Sequence, residues 1–135
     1  MTDSFALHPR LAADTAQIAR WPLCRILLMN DARFPWLILV PERPGLREIH
    51  DLAAADRATL AEEIARASRL LQDRFQADKI NVAALGNQVQ QLHVHVIARF
   101  AGDPAWPKPV WCEGASEPMT AAEREARIAV LGPGL

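Results

Sequence analysis

Polar and branched apolar residues alternate strictly across Gln91, Leu92, His93, Val94, His95, Val96 and Ile97. A period of two predicts a strand with Gln91, His93 and His95 on one face and Leu92, Val94 and Val96 on the other. Two imidazoles then stand side by side, roughly 7 Å apart along the strand. The strand reads from Gln91 to Arg99. It follows a third strand, Ile80 to Leu85, after the tight connection Gly86 to Gln90, so the pair is an antiparallel hairpin.

The rest of the pattern supplies a scaffold. Pro9 followed by Arg10 to Ala19 predicts a short helix, with Leu11, Thr15 and Ile18 at helical spacing. Trp21 to Met29 is apolar apart from Arg25 and reads as a strand. The polar turn Asn30 to Arg33 joins it to a second apolar run, Phe34 to Val40, closed by Pro41. After the loop from Pro41 to Gly45, an amphipathic helix is predicted from about Ala54 to Phe75, its apolar stripe made by Leu60, Ile64, Ala67, Leu71 and Phe75. The stretch from Asp103 to Pro109 is too rich in proline for a helix or a central strand. Thr120 to Glu123 is a capping-box pattern that starts a last helix through about Leu131, stopped by Gly132-Pro133-Gly134. Strands with one long helix between them predict an α+β domain: an antiparallel sheet packed on that helix, with short helices near each end.

With 135 residues, the chain is read as a single domain over 1–135, its core at about 20–110 and an extension at about 111–135. The net charge is −1, and no basic run interleaves with aromatics, so extended nucleic acid is not an expected partner. No apolar run approaches about 18 residues, and charged residues interrupt the first stretch, so neither a membrane span nor a signal peptide is expected. Cys24 and Cys112 sit in no metal-ligand spacing, which fits reduced thiols in a cytoplasmic protein.

Chemistry concentrates on the alternating strand. With Leu92, Val94 and Val96 under the long helix, His93 and His95 face a cleft. An imidazole there can attack phosphorus, shuttle protons or bind a metal. Gly86 and Asn87 just upstream offer a flexible backbone and an amide for phosphate oxygens. His8 and His50 read as structural residues, and the helical Arg66, Arg69 and Arg74 as a solvated face.

Residues 86–97 resemble the signature of the histidine triad (HIT) proteins, whose strand carries three alternating histidines. Leu28-Met29-Asn30, the strand from Pro35 to Pro41, Glu48 to Leu52 and the long helix follow the order and spacing of the diadenosine polyphosphate hydrolase branch, so the likeness covers most of residues 20–110. It implies a nucleotide hydrolase or nucleotidyl transferase that cleaves AMP-type phosphoanhydride, ester or phosphoramidate bonds through a nucleotidyl-histidine intermediate, with no cofactor required. By position, His93 resembles the nucleophile and His95 the third histidine. Asn30 is similar to the residue that holds the ribose hydroxyls, Asn87 to the phosphate-contacting amide, and Asn81 to a polar support of the site. Trp106-Pro107 resembles a segment that closes the purine nucleotide pocket. The resemblance also implies a sheet of about five strands and a homodimer.

Three positions depart from the family pattern. Gln91 stands where the first histidine would be, Gln88 where a hydroxyl residue would be, and Trp36 where many members carry a further histidine. Gln91 can hydrogen-bond a phosphate but cannot donate a proton as a charged acid. These departures motivate an alternative, a nucleotide-binding or sensing protein with little turnover. A third reading makes His93 and His95 two ligands of a metal enzyme.

Overall fold

The structure, a computed structural model, describes residues 4–135. Its centre is one antiparallel sheet of five strands: β1 (Thr15–Arg20), β2 (Cys24–Met29), β3 (Trp36–Pro41), β4 (Lys79–Ala83) and β5 (Val94–Arg99). Their order across the sheet is β1-β2-β3-β5-β4, with every neighbouring pair antiparallel. The α+β class and the hairpins β2–β3 and β4–β5 are those the pattern predicts.

The fifth strand comes from a segment with a helical reading. The first helix, α1, covers only Pro9–Asp14, and residues Thr15 to Ala19 belong to β1 instead. Thr15 takes extended angles (φ −137°, ψ 168°) while its hydroxyl still donates to the Leu11 carbonyl at 2.6 Å. From there pairing with β2 supplies the backbone partners that further helix would have supplied. A helix this short has little stability of its own, so the ladder wins. A register shift between Gln17 and Ala19 breaks the alternation, which removes the period-two signal from the sequence.

The long helix, α2, runs over Ala54–Phe75 as predicted and ends where Gln76 adopts the left-handed conformation (φ 54°). Its Leu60, Ala67, Leu70 and Leu71 are buried with Leu92, Val94, Val96 and Ala98 in the core on one face of the sheet. Truncating one of these leucines to alanine costs about 2–5 kcal/mol. Glu63 is also buried on this helix, where its carboxylate accepts the backbone N–H groups of Leu23 (3.0 Å) and Cys24 (2.9 Å). The helix is thereby tied to the start of β2. Burial, and then the neighbouring Glu63, push the Cys24 thiol up, so it is an unreactive core thiol, whereas Cys112 is exposed.

The opposite face of the sheet holds a second core that includes Leu11, Phe34, Trp36, Ile38, Ile97 and Val110. The loop after β5 covers part of it. Arg99, 1% exposed, points into that loop and donates to Asp103 (2.7 Å), Asn81 Oδ1 (2.8 Å) and the Lys108 carbonyl (2.7 Å). Burial alone would raise the Asp103 carboxyl. Arg99 and the amides of Phe100, Trp106 and Ala105 outweigh it and hold it at about 2. A last helix, α3 (Ala121–Leu131), starts with the expected capping box, in which Thr120 and Glu123 satisfy each other's backbone N–H groups. Its Arg127 donates to the carbonyls of Asp31, Ala32 and Phe34 and pins the β2–β3 turn. Among the described residues, no helix is long and apolar enough to cross a membrane.

Candidate functional site

The alternating segment keeps its two faces but is shorter as a strand than the sequence predicts. Ladder pairing in β5 begins at Val94, opposite Leu39, rather than at Gln91. Its neighbour β3 ends at Pro41, which has no N–H to offer, and the Leu92 N–H donates instead to the Leu46 carbonyl at 3.0 Å. Leu92, Val94 and Val96 still lie in the core beneath α2, as expected. His93, His95, Ile97 and Arg99 occupy the other face.

There the two imidazoles meet at right-angle-like packing, with ring centroids 4.9 Å apart and planes at 72°. Each residue is only 7% exposed. His93 Nδ1 lies 2.6 Å from the Gln91 carbonyl oxygen. A carbonyl can only accept, so Nδ1 carries the proton and the lone pair of the neutral ring is on Nε2. His95 has the opposite arrangement. The Trp36 indole Nε1–H donates to its Nδ1 at 3.1 Å, which puts the proton of the neutral ring on Nε2. Burial, reinforced by the neighbouring His93, lowers the His95 pKa to about 3, so it stays neutral through the physiological range. One ring is thus set to give an electron pair and the other to donate a hydrogen bond.

Both histidines line a cavity of about 670 Å³. Trp36 and Trp111 form its aromatic side, Trp111 packing edge-on against His95 with centroids 4.9 Å apart. Asn87 and Gln88 line it from the β4–β5 connection, which leaves β4 through Gly86 in a positive-φ conformation (φ 76°) suited to glycine. Asn30, Asp31 and Arg33 line it from the β2–β3 turn, where Arg33 and Asp31 form a buried ion pair at 3.0 Å. Arg10 and Asp14 of α1 and Ser116 of the segment before α3 complete the walls.

Of the sequence-predicted residues, His93, His95, Asn30, Asn87 and Gln88 come together on this cavity, and Asn81, Gln91 and Trp106 do not. Asn81 is on the same sheet face, but its Oδ1 is taken by Arg99. Trp106 sits against the Arg99 guanidinium, 5.7 Å from its ring centre, and Trp111 supplies the aromatic wall instead. The Gln91 carboxamide accepts from the His8 N–H and donates to the Ala6 carbonyl, each at 2.8 Å, so it holds the chain before α1 and is not among the residues that line the cavity. Asn30 is also partly engaged, its Oδ1 accepting from the Met119 N–H at 2.8 Å.

Sequence reasoning missed the Trp36–His95 bond and the roles of Arg10 and the Asp31–Arg33 pair as walls, and it left Trp111 evenly between an anchor and a nucleotide wall. Trp36 and Ile38 stand opposite Ile97 and His95 in the ladder. That register is invisible in an unbroken apolar run. Among the described residues, no three or more His, Cys, Asp or Glu side chains gather as a metal site.

Residues 10–102 match the family model described as HIT domain. No curated protein matches the chain. Three solved structures are similar over nearly its whole length. One is a histidine triad protein from Bradyrhizobium japonicum, 46% identical over 98% of each chain with a TM-score of 0.95. The second, a histidine triad protein from Sinorhizobium meliloti, is 46% identical over 97% of each chain with a TM-score of 0.94. The third is from Marinobacter aquaeolei, 47% identical over 98% of this chain and 97% of that one, with a TM-score of 0.96.

Proposed function

Since the chain belongs to the HIT domain family and has its α+β fold, we propose that it is a nucleotide hydrolase or nucleotidyl transferase with His93 as its nucleophile. The bond types are AMP-type phosphoanhydrides, esters and phosphoramidates, with diadenosine polyphosphates as the first candidates. The observation that carries the reading is the opposite protonation of two adjacent rings. His93 Nδ1 is committed to the Gln91 carbonyl and leaves Nε2 with its lone pair. His95 is held neutral by burial, with its N–H on Nε2.

In the first half-reaction, the Nε2 lone pair of His93 attacks the α-phosphorus. A phosphorus–nitrogen bond forms, and the bond to the leaving group breaks with its electron pair departing on that group. The His95 Nε2–H and the Asn87 amide donate to the non-bridging oxygens, where charge grows in the transition state. Water then attacks phosphorus, the phosphorus–nitrogen bond breaks, and His93 recovers its lone pair as AMP and a proton leave. Trp36 and Trp111 offer aromatic surface to the purine, and Asn30 a remaining amide to the ribose. No step calls for a metal, and AMP release should be unchanged after treatment with a chelator.

Incubation with diadenosine polyphosphates and with adenosine phosphoramidate should release AMP, and His93→Ala should abolish it. A His93→Ala protein of unchanged stability that keeps its activity would remove His93 from this role. A second reading, nucleotide binding with little turnover, is favoured by one observation: an amide, spent on Ala6 and His8, stands at the first triad position, which leaves no acid there. Calorimetry showing AMP binding, with no product after prolonged incubation, would decide for it. We also propose a homodimer joined at the β4 side of the sheet, where Val82 is 49% exposed on an edge strand. Sedimentation showing a monomer at micromolar concentration would overturn that.

A further inference from the structure

The Gln91 carboxamide does something that a phosphate-facing residue could not do. Its oxygen and its nitrogen are bonded to successive parts of one extended segment, the His8 N–H and the Ala6 carbonyl. The pairing imitates a ladder step and fixes the chain that enters α1. Phe5 and Leu7 pack on the second core and Leu11 is buried in it, so the segment is anchored on both sides of the clamp. Two residues beyond His8, Arg10 lines the cavity that holds His93 and His95.

The charges around that cavity are unequal in freedom. Arg33 is spent on Asp31 and on the Glu113 carbonyl, and its side chain is 8% exposed. Among the described residues, the Arg10 side chain has only Asp14, 3.8 Å away, with both side chains at least half exposed. An exposed pair of that length is worth little and exchanges readily for a better anion. Arg10 is therefore the cation that an arriving phosphate can recruit, with forked donors suited to two of its oxygens.

We propose that Arg10, carried on a segment that Gln91 locks in place, receives the charge of the departing group, so that the site selects leaving groups that are themselves anions. This rests on the nucleotidyl-transfer reading above. With no imidazole acid at position 91, a leaving group that must be protonated as it departs is disfavoured. One that departs as a phosphate anion needs no proton, because the electron pair of the broken bond stays on its oxygen and Arg10 offsets the added charge. Gln91 is the positioning residue in this scheme, and Arg10 touches the substrate.

The test compares two substrates with the same AMP half: diadenosine tetraphosphate, which loses a phosphate anion, and adenosine phosphoramidate, whose leaving nitrogen carries no phosphate and must be protonated as it departs. Arg10→Ala should lower kcat/KM for the first by roughly tenfold or more and for the second by less than about threefold. Arg10→Lys should recover part of the loss. Gln91→Leu should reproduce the selective loss and speed amide exchange at His8. Equal losses on both substrates in Arg10→Ala, or no loss on either, overturn the proposal while the nucleotidyl-transfer reading stands. Wild-type protein that releases AMP from neither substrate overturns both.

Discussion

Replacing Trp36 with phenylalanine keeps an aromatic ring on the cavity but removes its one N–H and part of a side chain buried in the second core. In the native protein that N–H meets His95 Nδ1 at 3.1 Å, between two side chains that are 3% and 7% exposed. The variant can respond in two ways. If His95 keeps its proton on Nε2, a buried acceptor is left without a partner, which costs about 1–3 kcal/mol of stability. If the proton moves to Nδ1, that cost is spared but the donor for the phosphate oxygen is lost. A hydrogen bond to a charged acceptor is worth about 1.5–3 kcal/mol, so kcat/KM should fall roughly ten- to a hundredfold. Urea denaturation reads the first outcome, and the nitrogen shifts of labelled histidine read the tautomer in the second. A protein that keeps the Nε2–H tautomer, the native denaturation midpoint and kcat/KM within about twofold would refute the reasoning.

Acid should destabilise the protein through His95. Above about pH 6.5 the ring is neutral whether the chain is folded or not. Below it the unfolded chain takes up a proton that the folded chain, with a pKa of about 3, refuses, so stability falls with falling pH. Between pH 7 and 5 this amounts to at most about 2 kcal/mol, and His95→Asn should lose correspondingly less over the same range in urea titrations. Equal losses in the two proteins would contradict it. Glu63→Gln replaces a carboxylate that accepts two buried N–H groups, and should cost roughly 2–4 kcal/mol in denaturation while leaving AMP binding by calorimetry intact, since Glu63 is buried on the far side of the sheet. An unchanged midpoint would remove its anchoring role.

What the sequence made legible follows from where information is local. The stripe of α2 and the capping box of α3 are carried by residues a turn apart, and both helices lie where those patterns put them. The two faces of the 91–97 segment were equally plain. Its loss of three ladder residues was not, because it depends on Pro41 in another strand. Long-range commitments hid the rest. Asn81 and Trp106 are of the right type and near the right place, but Arg99 holds one and lies against the other. Nothing in their neighbours along the chain announces that. Gln91 reads as a phosphate donor until Ala6 and His8 are seen to use both ends of its amide.

The cavity is lined both by Arg10 and Asp14 and by Trp111 and Ser116, segments far apart in the sequence. A nucleotide that touches both acts as a staple between distant parts of the chain, without any covalent bond. Opening either wall then has to release the ligand first, so occupancy should quiet local fraying at both places together. Protection from proteases would appear at two widely spaced positions on binding of one small molecule, and it would report the site's assembly even where no product is formed.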